Sequence, residues 1–84
     1  MKQVMIYSAD YCPYCVRAKQ FFESRGIAYT ELRVDENDEL RGEMEAKSGR
    51  RTIPQIFIGD SHVGGYDDLI AMARSGSLDT LLEE

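Results

Sequence analysis

The chain's only cysteines, Cys12 and Cys15, stand three apart with Pro13 and Tyr14 between them. A pair at that spacing can trade electrons as dithiol and disulfide, supply half of a metal site, or cross-link the chain. A cross-link over so short a loop would take little entropy from the unfolded state. A metal site needs further soft ligands, and the sequence offers one histidine, His62, and no second cysteine pair. A four-ligand zinc site within one chain is therefore excluded, and half a site shared between two chains stays as the metal alternative. Inert core cysteines would have apolar neighbours throughout, which Cys12 lacks. The spacing reads best as redox chemistry, in which one thiol attacks a disulfide and the other resolves the mixed disulfide.

That chemistry needs two sulfurs in different surroundings. Val4 to Tyr7 is a short apolar run of strand type, and Ser8 to Cys12 is a turn. Pro13 suits the first position of a helix, where its missing N–H would be unpaired anyway. Cys12 then falls at the N-cap, where unpaired backbone N–H groups and the positive helix end favour thiolate over thiol. Cys15, Ala18, Phe21 and Phe22 form one apolar stripe, so Cys15 lies one turn in, on the buried side. The expectation is an exposed nucleophile, Cys12, and a sheltered resolving thiol, Cys15. For a thiol whose pKa falls from ~8.5 to ~6, thiolate at pH 7 rises about 30-fold while nucleophilicity falls about 13-fold. Attack gains only about twofold, but the sulfur also becomes a better leaving group. An enzyme that must itself be attacked in turn profits most.

The remaining elements follow the same logic. Gly26 ends the first helix. Tyr29 to Val34 alternates as a strand. Asp35 to Ser48 is rich in helix formers, and its acids read as a solvated face. Gln55–Ile58 and Ser61–Val63 flank Gly59-Asp60 as a hairpin. Gly64-Gly65 turns into a helix over Tyr66 to Arg74, and Ser77 is placed to cap a final helix. The order β-α-β-α-β-β-α-α predicts an α/β fold: a four-stranded mixed sheet with helices on both faces, the first two strands parallel through a right-handed crossover. Residues 1–84 make one domain on this reading.

Two further clusters stand out. In Arg51-Thr52-Ile53-Pro54-Gln55 the proline begins a strand, where a missing donor is tolerated, and a turn proline is the plain reading. In Gly64-Gly65-Tyr66-Asp67-Asp68 the glycines precede a helix whose N–H groups could hold a carboxylate. A tight turn with dipole-compensating acids is the alternative.

Taken together, in this order and approximate spacing, Cys12-Pro13-Tyr14-Cys15, Thr52-Ile53-Pro54-Gln55 and Gly64-Gly65-Tyr66-Asp67-Asp68 resemble the glutaredoxins, and among them the small dithiol glutaredoxins of bacteria. The resemblance covers essentially the whole chain. It implies the thioredoxin fold, a glutathione-dependent thiol–disulfide oxidoreductase, Cys12 and Cys15 as the catalytic pair, and a cis peptide bond between Ile53 and Pro54. It implies glutathione as electron donor, with no metal. Glutathione would touch Tyr14, Arg41, Thr52, Ile53, Pro54, Gly65, Tyr66, Asp67 and Asp68, with Arg51 as a second candidate cation. Its partners would be glutathionylated or disulfide-containing proteins. One departure matters: many relatives carry a lysine three residues before the first cysteine, and here that residue is Ala9, followed by Asp10. Less positive charge then lies beside Cys12, and the helix end is left as its main support.

Besides a non-catalytic interaction domain, in which Cys12 would be unreactive, two rival classes stay open at this point. One is a thioredoxin-like redoxin served by a flavoprotein reductase, against which Pro13-Tyr14 and Asp67 stand. The other is an iron–sulfur carrier holding a cluster between two chains through Cys12 and glutathione, which Pro13 disfavours. Composition narrows the field further. The net charge is −5, with no block of lysines, a poor match to nucleic acid or to an anionic membrane. The longest apolar run, Leu69 to Ala73, is far too short to cross a membrane, and no secretory signal is recognisable. The expectation is a cytoplasmic monomer.

Overall fold

The computed structural model describes all of residues 1–84. Strand β1 is Val4–Ser8, helix α1 Pro13–Ser24, β2 Thr30–Arg33, α2 Asp38–Ser48, β3 Gln55–Ile58, β4 Ser61–Gly64, α3 Tyr66–Ser75 and α4 Ser77–Glu83. The sheet order is β2-β1-β3-β4. β1 runs parallel to β2 and antiparallel to β3, and β4 closes the antiparallel hairpin. This is the mixed four-stranded sheet of the thioredoxin fold that the element order predicts.

Alternation along the two central strands divides the core. Val4 and Ile6 of β1 and Ile56 and Ile58 of β3 face one layer, filled by Ala18 and Phe22 of α1, Leu69 of α3 and Leu78 and Leu82 of α4. Tyr7 and Phe57 face the other, where α2 supplies Met44. Three helices thus cover one face and one covers the other. Because α1 and α2 leave on opposite faces, the C-terminal end of β1 is where the chain's course divides, the usual place for a ligand crevice in such sheets. The other end of the sheet holds the chain ends, where the Lys2 N–H donates to the Leu82 carbonyl at 3.1 Å.

Several boundaries differ from the sequence reading: β1 runs on through Ser8, β2 is shorter at Thr30–Arg33, and α3 ends at Ser75. Helix α2 begins at Asp38, not Asp35, because Asn37 takes the N-cap and accepts from the Glu39 and Leu40 N–H groups at 2.9 and 3.3 Å. Asp35 is already engaged in the preceding loop, gripped by Arg33 at 2.9 and 2.7 Å. Ser77 does not cap α4. Gly76, left-handed at φ +85°, ends α3 and starts α4, and Ser77 lies inside the helix. Strand β4 runs on to Gly64, which the sequence assigns to the turn.

Candidate active site

Cys12 sits where β1 gives way to α1. Its backbone is extended, its carbonyl accepts the first helical bond from the Val16 N–H at 3.1 Å, and its Sγ accepts the Cys15 N–H at 3.2 Å. The sulfur is therefore the helix cap, a role usually taken by a serine or aspartate oxygen. Both thiols are free. Cys15 is fully enclosed, and burial pushes its thiol well above the ordinary cysteine value, with neighbouring Cys12 adding to the rise. The backbone N–H of Ala9 and the charge of Lys19 pull the other way. The asymmetry expected of the pair is present, but Cys12 is not openly exposed: only 8 % of its surface meets solvent. The Ile53 carbonyl lies 3.8 Å from its Sγ and accounts for part of the cover.

That carbonyl belongs to the second cluster. The Ile53–Pro54 bond is cis. Gln55, fully buried, holds the segment from beneath, its Nε2 donating to the Thr52 carbonyl at 3.0 Å and to the Thr52 hydroxyl at 3.1 Å. Its Oε1 in turn meets His62 Nε2 at 2.7 Å, and the His62 ring stacks on Phe57 at 4.9 Å. Burial and the nearby Arg50 charge both lower the His62 value, which favours the neutral ring. From sequence His62 stands out only as a candidate metal ligand. No group of three His, Cys, Asp or Glu side chains converges on a point in this fold.

The third cluster is the start of α3. Gly64 has φ +118°, and a Cβ there would lie 2.3 Å from Asp68 Oδ2, so only glycine fits both the turn and the space. Asp68 is held in place: its Oδ2 accepts the Gly65 N–H at 2.9 Å and an Arg50 Nη1 donor at 3.0 Å. Those two contacts, the backbone one first, hold its carboxyl below the usual range. Asp67 beside it is exposed and has neither an ion-pair nor a hydrogen-bond partner.

These pieces meet. Tyr14, Thr52, Ile53, Pro54, Gly65, Tyr66, Asp67 and Asp68 line one open cleft of ≈ 240 Å³. The Tyr14 and Tyr66 rings flank it 6.1 Å apart, and the Arg17 guanidinium lies 5.2 Å over Tyr14. Hollows of ≈ 280 and ≈ 440 Å³ lie around Met1 at the opposite end of the sheet; Cys12 does not itself line the cleft but adjoins it through the Ile53 carbonyl, 3.8 Å from its Sγ. Of the residues singled out for this cleft, neither the second candidate cation, Arg51, nor Arg41 lines it. The place of Arg41 is in the first turn of α2, where its N–H meets the Asn37 carbonyl. Arg51 also stands apart, highly exposed, with Glu45 3.9 Å away. Arg50, Gln55 and His62 are the supporting residues that spacing alone did not reveal. Gln55 lies inside a recognised motif, and its full burial is what gives it away.

A sulfur capping a helix, a buried second thiol one turn on, and the carbonyl of the residue before a cis-proline beside them define the thioredoxin-fold class of thiol–disulfide oxidoreductases. Residues 4–63 match the family model described as Glutaredoxin. The chain is 50% identical over 82 residues to "Glutaredoxin" of Pseudomonas aeruginosa, covering 98% of both chains. It is 49% identical over 83 residues to "Glutaredoxin 3" of Escherichia coli, covering 99% of this chain and 100% of that one. The solution structure of the Brucella melitensis glutaredoxin superposes with a TM-score of 0.84 at 50% identity, over 98% of this chain and 89% of that one. A buckwheat glutaredoxin in complex with glutathione superposes at 0.88 and 32% identity, over 98% of this chain and 77% of that one. The chain belongs to the glutaredoxin family, and its activity is glutathione-dependent thiol–disulfide exchange.

Proposed function

We propose that this domain reduces glutathione mixed disulfides through Cys12 alone and protein disulfides through Cys12 and Cys15 together. In the first route Cys12 thiolate attacks the glutathione sulfur of a mixed disulfide, and the substrate leaves as its thiol. A second glutathione attacks the Cys12 sulfur, and oxidised glutathione leaves. In the second route Cys12 forms a mixed disulfide with the protein. Cys15 then attacks the Cys12 sulfur, the protein thiol leaves reduced, and a Cys12–Cys15 disulfide remains for glutathione to reduce. The observation that carries this reading is the single cleft that Ile53 shares with the start of α3, its carbonyl 3.8 Å from the Cys12 sulfur.

Glutathione fits that cleft in one direction. Its cysteinyl backbone pairs with Ile53, which puts its sulfur at Cys12. Thr52 and Pro54 line that side, and Tyr14 flanks the tripeptide. The γ-glutamyl carboxylate takes the backbone N–H groups at Tyr66 and Asp67, beside Gly65, where the α3 dipole favours an anion. Its ammonium takes the free carboxylate of Asp67, while Asp68 serves the turn. The glycyl carboxylate falls at the Thr52 end. Arg51, next in the chain and nearly free, reaches it better than Arg41. The partners follow as glutathione and glutathionylated or disulfide-bonded proteins, and the setting as a cytoplasmic monomer with no resident metal. No helix of the chain is long and apolar enough to cross a membrane.

The test is a glutathione-coupled assay on a small mixed disulfide and on a protein disulfide. Cys12→Ser abolishes both activities. Cys15→Ser keeps the first and loses the second. Full turnover by Cys12→Ser on either substrate refutes the assignment.

A further inference from the structure

A buried thiol that must attack creates a problem the proposed mechanism leaves open. Cys15 is fully enclosed, and burial disfavours its thiolate. Yet the two-cysteine route runs only if Cys15 ionises. Something beneath the active-site turn has to favour the anion there.

The polar side chains under that turn form one connected group. Lys19 lies one turn beyond Cys15 on the same side of α1, the i, i+4 relation that brings side chains together. Its Nζ is 2.8 Å from Glu31 Oε2 on β2, with both side chains largely covered. The same carboxylate oxygen accepts the Ser8 hydroxyl at 2.5 Å. Ser8 is fully buried at the end of β1, and its carbonyl accepts the Val34 N–H at 2.9 Å. Lys19 is thus clamped by a strand carboxylate that a second strand also grips. Burial alone would raise the Glu31 carboxyl. The hydrogen bonds from Lys19 and Ser8 outweigh it and keep the group low and anionic, with Arg33 of the same strand assisting. The charged and titratable groups acting on Cys15 are Cys12, which opposes its ionisation, and Lys19, which aids it.

We propose that Lys19 is the cation that supports the Cys15 thiolate during resolution, and that Glu31 and Ser8 are positioning residues that fix Lys19 beneath the turn. The inference rests on the two-route reading above. In the step concerned Cys15 loses its proton to water, and the thiolate attacks the Cys12 sulfur of the mixed disulfide. The bond from Cys12 to the substrate sulfur breaks, its electron pair leaves with that sulfur, and the departing thiolate takes up a proton. The dithiol is oxidised by two electrons and the substrate disulfide reduced by two. Lys19 enters no bond. It lowers the cost of the anion that forms first.

The consequence is selective. Cys15 takes no part in the one-cysteine route, so losing the Lys19 charge slows only the other. If that charge is worth tenfold in thiolate, a Brønsted slope of ~0.45 returns about threefold in nucleophilicity, and resolution slows about three- to fourfold. The experiment compares wild type, Lys19→Met and Lys19→Arg. Turnover on a small glutathione mixed disulfide reads the one-cysteine route. Single-turnover release of a peptide thiol from its mixed disulfide with Cys12 reads the Cys15 step, as a function of pH. Lys19→Met is expected to keep the first within about twofold. It should slow the second about three- to fourfold at pH 7, with the deficit closing at alkaline pH. Lys19→Arg should restore it. Equal slowing of both routes, or no slowing of either, overturns the role of Lys19. Failure of the wild type to turn over a glutathione mixed disulfide refutes the function itself and is seen before any variant is compared.

Discussion

At the start of α1 the backbone N–H of Cys15 is met by a sulfur, and at the start of α3 the backbone N–H of Gly65 is met by the Asp68 carboxylate. Helix α1 follows β1 after a four-residue turn and α3 follows β4 after Gly65 alone, and residues from both face the same cleft. They differ in what answers the positive helix end. The first turn of α1 contains no acid, so the end is open to a charge that comes and goes with the reaction. The first turn of α3 holds Asp67 and Asp68, one tied down by Gly65 and Arg50 and one loose. The two caps run in opposite senses, an N-cap side chain on a backbone N–H inside α1 and a side chain inside α3 on the N-cap backbone N–H, and on the proposed function the first serves chemistry and the second recognition. On that proposed function, reactivity is kept by leaving the cap to the nucleophile, and glutathione is met by the free acid beside the filled one.

The largest break in this comparison comes at the α1 cap. Cys12→Ser should reduce turnover to the uncatalysed background while leaving the melting temperature at or above the wild-type value, because serine is a strong N-cap. Cys12→Ala should lose the same activity and also about 1 kcal/mol of stability. The two variants, followed by calorimetry beside the activity assay, separate sulfur as nucleophile from sulfur as cap. At the other helix Gly64→Ala should be costly. Its φ of +118° and the 2.3 Å approach to Asp68 Oδ2 force a shift in the cap. A loss of about 1–3 kcal/mol, read from the denaturant midpoint, is expected, together with weaker binding of glutathione.

Finer substitutions divide the two aspartates. Asp67→Asn should raise the KM for glutathione by about tenfold, as losing one charge-assisted contact of ~1.5 kcal/mol predicts, with the melting temperature unchanged. Asp68→Asn should do the reverse, leaving KM nearly alone and costing a little stability. The folded Asp68 carboxyl is lower than in the unfolded chain. Its contribution is therefore present above the ordinary carboxylate value of ~3.9 and disappears as pH falls through the lower folded value. Its side chain is 46% exposed, so the pair with Arg50 contributes only about 0.2–1 kcal/mol. Melting curves from pH 7 down to about pH 3 should show wild type and Asp68→Asn converging at the acid end.

The parts legible in the sequence are those in which the backbone dictates the residue. Pro13 at a helix start, Pro54 at a strand start and Gly64 before a helix each mark a chain geometry few other residues accept, so the three clusters could be placed from type and spacing. Alternation in β1 and the stripe of α1 gave the layers. What stayed hidden depends on residues distant in sequence. Nothing near Cys12 says that the Ile53 carbonyl, 41 positions on, covers its sulfur. Nothing in Asp67-Asp68 says that Arg50, 18 positions back, joins the Gly65 N–H in holding Asp68. Arg41 was assigned by family position, and its helix keeps it from lining the cleft. Asp35 looked like a helix residue by composition, until Arg33 and the side chain of Asn37 divided the loop between them.

The hydrogen bond from Cys15 N–H to the Cys12 sulfur belongs to the reduced state, since in a disulfide that sulfur is a poorer acceptor. Whatever that cap contributes to the helix is therefore stored in the dithiol and given up on oxidation. A contribution of about 1 kcal/mol corresponds to about 20 mV for a two-electron couple. The cap that begins a helix thus also makes this pair a slightly stronger oxidant.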